Sequence, residues 1–154
     1  AATKHLTEAD KGVANGVAEL DGSGKVPGSQ LAGGGKSMVM ALGSDQTYEV
    51  NRNSAGYSKA AAFVYAGSGV VGDILNIVLN CWKAGGGDPD FRIYDATNAQ
   101  TIAELTGVTS TSEVNQQDMG TISNLPVASA IFELQIRRGG PGGVGYCGSI
   151  ELVY

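Results

Sequence analysis

The sequence predicts an all-β fold, an antiparallel β-sandwich of jelly-roll type, preceded by an extended N-terminal arm. Glycine is abundant, with 24 in 154 residues, and much of it lies in short clusters that favour turns and break helices. Charged residues make up only 16% of the chain, against roughly 25% in typical soluble domains. From Ser37 onward, short apolar stretches alternate with turn residues, which is the pattern of half-buried strands.

The predicted sandwich occupies residues 37–154. Alternation is plainest at Ala130–Arg137, where Phe132, Leu134 and Ile136 share one face. At Asp73–Lys83, positions 75, 77, 79 and 81 are all apolar. No stretch of about ten residues is convincingly amphipathic at helical spacing, which disfavours an α/β fold. Strands are predicted at Ser37–Leu42, Gln46–Val50, Ala60–Ala66, Asp73–Lys83, Phe91–Tyr94, Thr101–Leu105, Gly120–Ser123, Ala130–Arg138 and Ser149–Tyr154, with loops at 67–69, 84–89 and 139–145.

The predicted arm, residues 1–36, differs in character from the rest of the chain. It has no aromatic residue, and small apolar residues recur there between turn signals such as Asn15-Gly16 and Asp21-Gly22. A lone chain would bury this stretch poorly, so we expect it to become ordered on another chain. The candidate partner-binding residues are Leu6, Val13, Asn15, Val17, Leu20, Val26, Pro27 and Leu31.

Within the arm, an Asn-Gly-Val-Ala turn, a Leu-Asp-Gly-Ser-Gly-Lys-Val-Pro turn and a closing Ser-Gln-Leu lie between Ala14 and Leu31. This pattern resembles a stretch that recurs in bacteriophage tail fibres, head fibres and head decoration proteins. The familiar version often ends in Leu-Pro, whereas Ala32 follows Leu31 here. The resemblance implies a structural protein of the virion with an attachment arm, commonly in a homotrimer.

Composition argues against two classes of partner. The net charge is −5, whereas a general nucleic-acid binder carries a basic excess that neutralises phosphates. The same charge disfavours docking on an anionic membrane, and no run reaches the roughly 18 apolar residues that span a bilayer. The start of the chain has no apolar segment of a secretory signal, so we expect synthesis in the host bacterial cytoplasm and residence in the virion.

Two motifs suggest ligand chemistry but are incomplete. Gly33–Ser37 resembles part of a phosphate-binding loop, but Gln30 stands where the first glycine is required, and a strand is predicted next. Asp21–Lys25 resembles the start of a calcium loop, but Val26 and Ala32 replace the turn glycine and the bidentate glutamate. We therefore interpret the glycines before Ser37 as a hinge and expect no cofactor.

Catalysis is not expected, because the single histidine, His5, lies in the arm and no nucleophile has a nearby base. Asp88 and Asp90 are weak candidates for calcium ligands or for the two carboxyls of a glycosidase, and a capped turn around Pro89 is the favoured interpretation. Trp82 and Tyr94 are candidates for stacking on a glycan, although aromatic residues also pack strands.

The two cysteines, Cys81 and Cys147, lie in predicted strands. Two reduced core thiols are the favoured interpretation for a protein made in a bacterial cytoplasm. A disulfide stays open, because it depends on whether the two strands are neighbours.

The sequence thus predicts a capsid decoration (cement) or head-fibre protein that docks through its arm on the major capsid protein or another virion protein. The lack of a long shaft favours the capsid over a tail. The alternative is a small tail-fibre or collar adhesin that binds glycans of the host surface.

Overall fold

Two antiparallel sheets pack face to face in the computed structural model, which describes residues 37–42 and 50–154. The first sheet contains β1 (Ser37–Ala41), β2 (Val50–Arg52), β4 (Asn76–Ala84), β7 (Gln116–Asp118) and β9 (Val144–Val153). The second contains β3 (Ser58–Tyr65), β5 (Asp90–Asp95), β6 (Gln100–Leu105) and β8 (Ala130–Arg137). The predicted all-β sandwich is therefore confirmed.

The strand order is that of a jelly roll. Ala41 faces Ser149 and Val50 faces Cys147, so β1 and β2 lie end to end along one side of β9. Counted together as one interrupted strand, they bring the total to eight. In this count of eight, one sheet contains the first, eighth, third and sixth strands, which are β1 with β2, β9, β4 and β7. The other sheet contains the second, seventh, fourth and fifth strands, which are β3, β8, β5 and β6. Of the predicted strand Gln46–Val50, only Val50 lies within the described residues.

The core lies between the sheets, where the predicted alternation of β8 is confirmed. Phe132, Leu134 and Ile136 are fully buried, and the Tyr65 ring of β3 stacks on Phe132 with the ring centroids 4.8 Å apart. Burial of each such side chain stabilises the fold by about 1.5–3 kcal/mol. From β4, Ile77, Leu79 and Cys81 enter the same core, as predicted.

One predicted strand is wrong, since residues 120–123 form no strand. Pairing with β4 is made instead by β7, whose three residues face Val78–Asn80. The backbone N–H of Met119 donates to the carbonyl of Ile77, and its side chain is buried. Gly120 then adopts φ of 74°, a left-handed conformation that ends the ladder.

The predicted start of β4 is also wrong. The strand begins at Asn76, three residues later than predicted. Ile74 is buried, whereas Leu75 is 72% exposed, so Leu75 does not share the core face of Ile77 and Leu79. Alternation holds only within a paired strand, and the chain before Asn76 belongs to a connection.

The sandwich has two distinct ends. At one end the glycine clusters Gly85–Gly87 and Gly139–Gly143 meet, since a Cβ added at Gly87 would lie 2.5 Å from the backbone nitrogen of Gly140. At the other end β1 begins and β9 finishes, with Ser37 opposite Val153. There α1 (Ser68–Val71), the single helix of the described residues, begins inside the predicted loop 67–69, so only Gly67 of that loop lies outside the helix. No described helix could cross a membrane.

Candidate interaction surface

Exposed apolar side chains gather at the end of the sandwich where β1 begins. Ser37, Met38, Val70, Val71 and Tyr154 line a depression of about 260 Å³ there. None of these residues has a charged side chain. We call the surface formed by Met38, Val70, Val71, Leu75, Val127 and Tyr154 the apolar end.

The turn of α1 presents two valines of the apolar end to solvent. The chain enters α1 through Gly67, whose φ is 93°, a conformation that disfavours other residues. The N–H groups of Ser68 and Gly69 donate to the carbonyls of Pro126 and Val127 over 3.0 and 3.1 Å. These bonds fix the turn against the segment before β8, while Val70 stays 77% exposed.

The remaining residues of the apolar end are held by β1 and β9. Met38 faces Leu152 in the register and so lies on the core side of its sheet. It is still partly exposed, because β1 is an edge strand. The N–H of Leu75 donates to the carbonyl of Val153 over 2.7 Å, which places Leu75 beside the end of β9. Large exposed apolar surface of this kind is typical of sites that contact other proteins.

A second exposed apolar pair lies near the apolar end. Val64 of β3 faces Ile131 of β8, and they are 68% and 50% exposed. Their neighbours in the register, Tyr65 and Ala130, are buried and form the last pair before the segment that holds α1. The apolar character of this end therefore extends onto the outer face of the second sheet.

The rest of that outer face carries a network of paired polar groups. The Arg92 guanidinium lies 4.2 Å from the ring centroid of Tyr57 and 4.5 Å from that of Tyr94. The Tyr57 hydroxyl donates to Glu104, and burial and this carboxylate raise the pKa of Tyr57. Arg137 pairs with Asp90 over 2.6 Å. Because these groups satisfy one another, this face is a rigid polar surface rather than an apolar contact site.

The two glycan candidates lie on opposite faces of the sandwich. Tyr94 belongs to the polar network of the second sheet, whereas Trp82 lies on the outer side of the first. Trp82 stacks on Tyr146 with ring centroids 5.5 Å apart and planes 7° apart. The pair lines a depression of about 380 Å³ together with Thr111 and Glu113. The structure therefore joins Trp82 with Tyr146 and not with Tyr94.

The candidate acidic residues bind neighbouring protein groups. Asp88 forms an ion pair with Lys83. Asp90 accepts hydrogen bonds from Arg137 and from the N–H of Gly107, the latter over 2.7 Å. Over residues 37–42 and 50–154, no group of three or more acidic, histidine or cysteine side chains could hold a metal ion.

Asp95, at the far end of β5 from Asp90, has a structural role. It is fully buried and accepts hydrogen bonds from the N–H groups of Thr97 and Asn98 and from the Asn98 amide, over 2.7–3.0 Å. We expect Asp95→Ala to lower the free energy of unfolding by about 2 kcal/mol, because the turn at Thr97 and Asn98 loses the buried carboxylate that accepts its hydrogen bonds. Asp95→Asn keeps one acceptor oxygen and should cost less. Urea unfolding measures both, and equal losses would contradict this role.

Sequence reasoning missed the apolar end because its residues come from four separate segments. Val70 and Val71 stand between glycines, next to the predicted loop 67–69, and the sequence pattern places Leu75 on the core side of a strand. The sequence signal for this surface is a pair of valines that lies outside every predicted strand. The predicted arm residues Leu6, Val13, Asn15, Val17, Leu20, Val26, Pro27 and Leu31 lie outside the described residues.

Comparisons with protein-family models, with characterised proteins and with solved structures gave no match for this chain.

Proposed function

We propose that this chain is a structural protein of a bacteriophage particle, of the capsid decoration, cement or head-fibre kind. The arm, residues 1–36, docks on the major capsid protein or another virion protein, and the jelly roll projects from the particle. The observation that carries the proposal is the pattern at Ala14–Leu31, which resembles the attachment stretch of such proteins. The proposal assigns the chain no catalytic reaction and no cofactor.

The apolar end supports this proposal. Ser37, the first described residue after the arm, lines the depression of the apolar end with Met38 and Val70. Because Ser37 follows the arm along the chain, docking of the arm would bring the start of the first strand within reach of the particle. The apolar end is then the part of the sandwich that meets the particle surface, and its apolar area adds roughly 25 cal/mol per Å² buried, before the costs of association.

Deletion of the arm tests the proposal. We expect the full chain to bind saturably to particles assembled without it, and a form that begins at Lys36 to bind at least about 100-fold more weakly, which is roughly 2.7 kcal/mol. Co-sedimentation with purified particles measures both affinities. As a control, the circular dichroism spectrum of the shortened form must remain that of a β-sheet protein. Equal affinity of the two forms would overturn the docking role of the arm.

The proposed oligomer is a homotrimer formed in the host cytoplasm and carried on the virion surface. Light scattering coupled to size exclusion should give three times the mass of the chain. If the protein is a monomer and still binds particles with the affinity expected of the full chain, the trimer is contradicted. The docking role of the arm is then unaffected.

The second candidate function is that of a small adhesin of the tail fibre or collar, which binds host glycans. Tyr146 favours it, because this ring stacks on the buried Trp82, is itself half-buried, and lies beside polar groups that suit a sugar ring. A glycan array probed with the full chain and with Tyr146→Ala tests it. Hits that disappear in the variant would support this function, and an array without hits would exclude it.

A further inference from the structure

The two cysteines are direct neighbours across the first sheet. Cys81 of β4 faces Cys147 of β9 in the antiparallel register. Both side chains are fully buried and belong to the same core cluster. Residues opposite each other in an antiparallel pair project to the same side of the sheet. The two sulfur atoms therefore occupy one region of the core, and both thiols are free in this structure.

The backbone spacing suits a covalent bond between them. Opposed residues of an antiparallel pair have Cα atoms about 4.5–5.5 Å apart, within the range of about 4.4–6.8 Å found across disulfides. The register shifts between Asn80 and Cys81, so that Gly148 has no partner on β4. Cys147 therefore lies beside a bulge, where the ladder is locally disrupted and the strand bends.

We propose that Cys81 and Cys147 form a site of reversible thiol oxidation that closes an intramolecular disulfide when the oxidant is a small-molecule disulfide such as oxidised glutathione. One cysteine thiolate attacks the glutathione disulfide and releases one glutathione thiolate. The second cysteine thiolate attacks the resulting mixed disulfide and releases the other. Two protons and two electrons leave the protein dithiol, and one glutathione disulfide becomes two glutathione thiols.

The folded protein protects this site from rapid reaction. Burial raises the pKa of Cys81 to about 12. The pKa of Cys147 is also raised by burial and by the neighbouring Cys81, although a backbone hydrogen bond at Ser149 opposes this. Because the thiolate is the reacting species, the bond forms while the chain folds or when the sheet opens. The dithiol then remains reduced in a reducing cytoplasm and becomes oxidised outside it.

The disulfide would join the two longest strands of the first sheet. β4 and β9 pair along their whole lengths, from Asn76 opposite Val153 to Ala84 opposite Val144. The bond closes a loop of roughly 65 residues, and cross-links that close long loops restrict the unfolded chain most. Oxidation therefore stabilises the sandwich. This inference concerns the fold itself and does not rest on the proposed function.

Refolding in a glutathione buffer tests the proposal on the full chain. The protein is unfolded under reducing conditions, refolded with excess oxidised glutathione, quenched with acid and treated with a maleimide. We expect a species 2 Da lighter than the dithiol form, with neither cysteine alkylated, a cross-linked peptide containing Cys81 and Cys147, and a thermal midpoint about 5–10 °C higher than that of the reduced protein.

Single variants provide the control. Cys81→Ala and Cys147→Ala should have the same thermal midpoint whether or not oxidised glutathione is present. If the unsubstituted protein regains its native β-sheet spectrum while both thiols are still alkylated, the proposal is overturned. The same holds if glutathione is attached to either cysteine. A disulfide form that fails to regain that spectrum, or that melts no higher than the reduced protein, would overturn it too.

Discussion

Gly139→Ala is expected to lower the free energy of unfolding by about 3 kcal/mol or more. A Cβ added at Gly139 would overlap the backbone nitrogen, carbon and oxygen of Asp88. These are backbone atoms, so no side chain can rotate away, and the two glycine-rich loops must separate. That movement would disturb the adjoining ion pairs of Asp88 with Lys83 and of Asp90 with Arg137. The midpoint and slope of urea unfolding measure the loss.

Gly56→Ala is the matched control for this prediction. A Cβ at Gly56 would have no atom within 4 Å, and its φ is not in the left-handed region. The same chemical change should therefore alter the stability by no more than about 0.5 kcal/mol. Equal stabilities of the Gly139 and Gly56 variants would show that the two loops are not held together by close backbone approach.

The glycine-rich loops explain the clusters of glycine in the sequence, for which the sequence alone gives only part of the reason. The clusters predict turns, and turns are present. What the sequence could not show is that Gly87 and Gly140, from the connections after β4 and β8, approach backbone to backbone. Such contacts depend on long-range strand order, which local patterns do not encode. The same limit applies to Cys81 and Cys147, whose placement in strands was predictable while their pairing was not.

Of the strands that have neighbours on both sides, β8 was predicted closely, whereas β9 begins at Val144, five residues before the predicted Ser149. β8 lies between β3 and β5, and its core positions Phe132, Leu134 and Ile136 were assigned to the correct side. Prediction failed at the margins of strands. At Leu75, a strand that starts later than expected leaves an apolar residue on the surface. An error in where pairing begins changes which side chains are predicted to be buried. For this reason the sequence does not predict that Leu75 belongs to the apolar end.

The fold and the arm pattern contribute differently to the proposed function. A jelly roll serves many unrelated functions, so the fold alone does not identify one. The arm pattern resembles a stretch found in virion proteins, and it does not define which surface of the sandwich is used. The apolar end connects the two, since Ser37 follows the arm directly and lines the depression with Val70 and Tyr154. A substitution within the apolar end therefore tests whether the sandwich contacts the particle, separately from the proposed contact of the arm.

Val70→Glu is expected to weaken binding to particles by about 10–100-fold while the stability of the sandwich is unchanged. Val70 is 77% exposed, so the glutamate remains in water in the free protein. In the bound state it would lie in an apolar contact, where an unpaired carboxylate is costly, and each tenfold loss corresponds to about 1.4 kcal/mol. Co-sedimentation with particles assembled without the protein measures the change in affinity.

Val114→Glu supplies the matched control, because Val114 is 88% exposed and does not belong to the apolar end. It adjoins Asn115, whose side-chain amide donates to the carbonyl of Cys81 on β4. Both substitutions make the net charge more negative by the same amount, so any general electrostatic effect on binding is shared. If the two variants bind particles equally, the apolar end does not face the particle. If only Val70→Glu loses affinity, the particle contacts the sandwich at the apolar end.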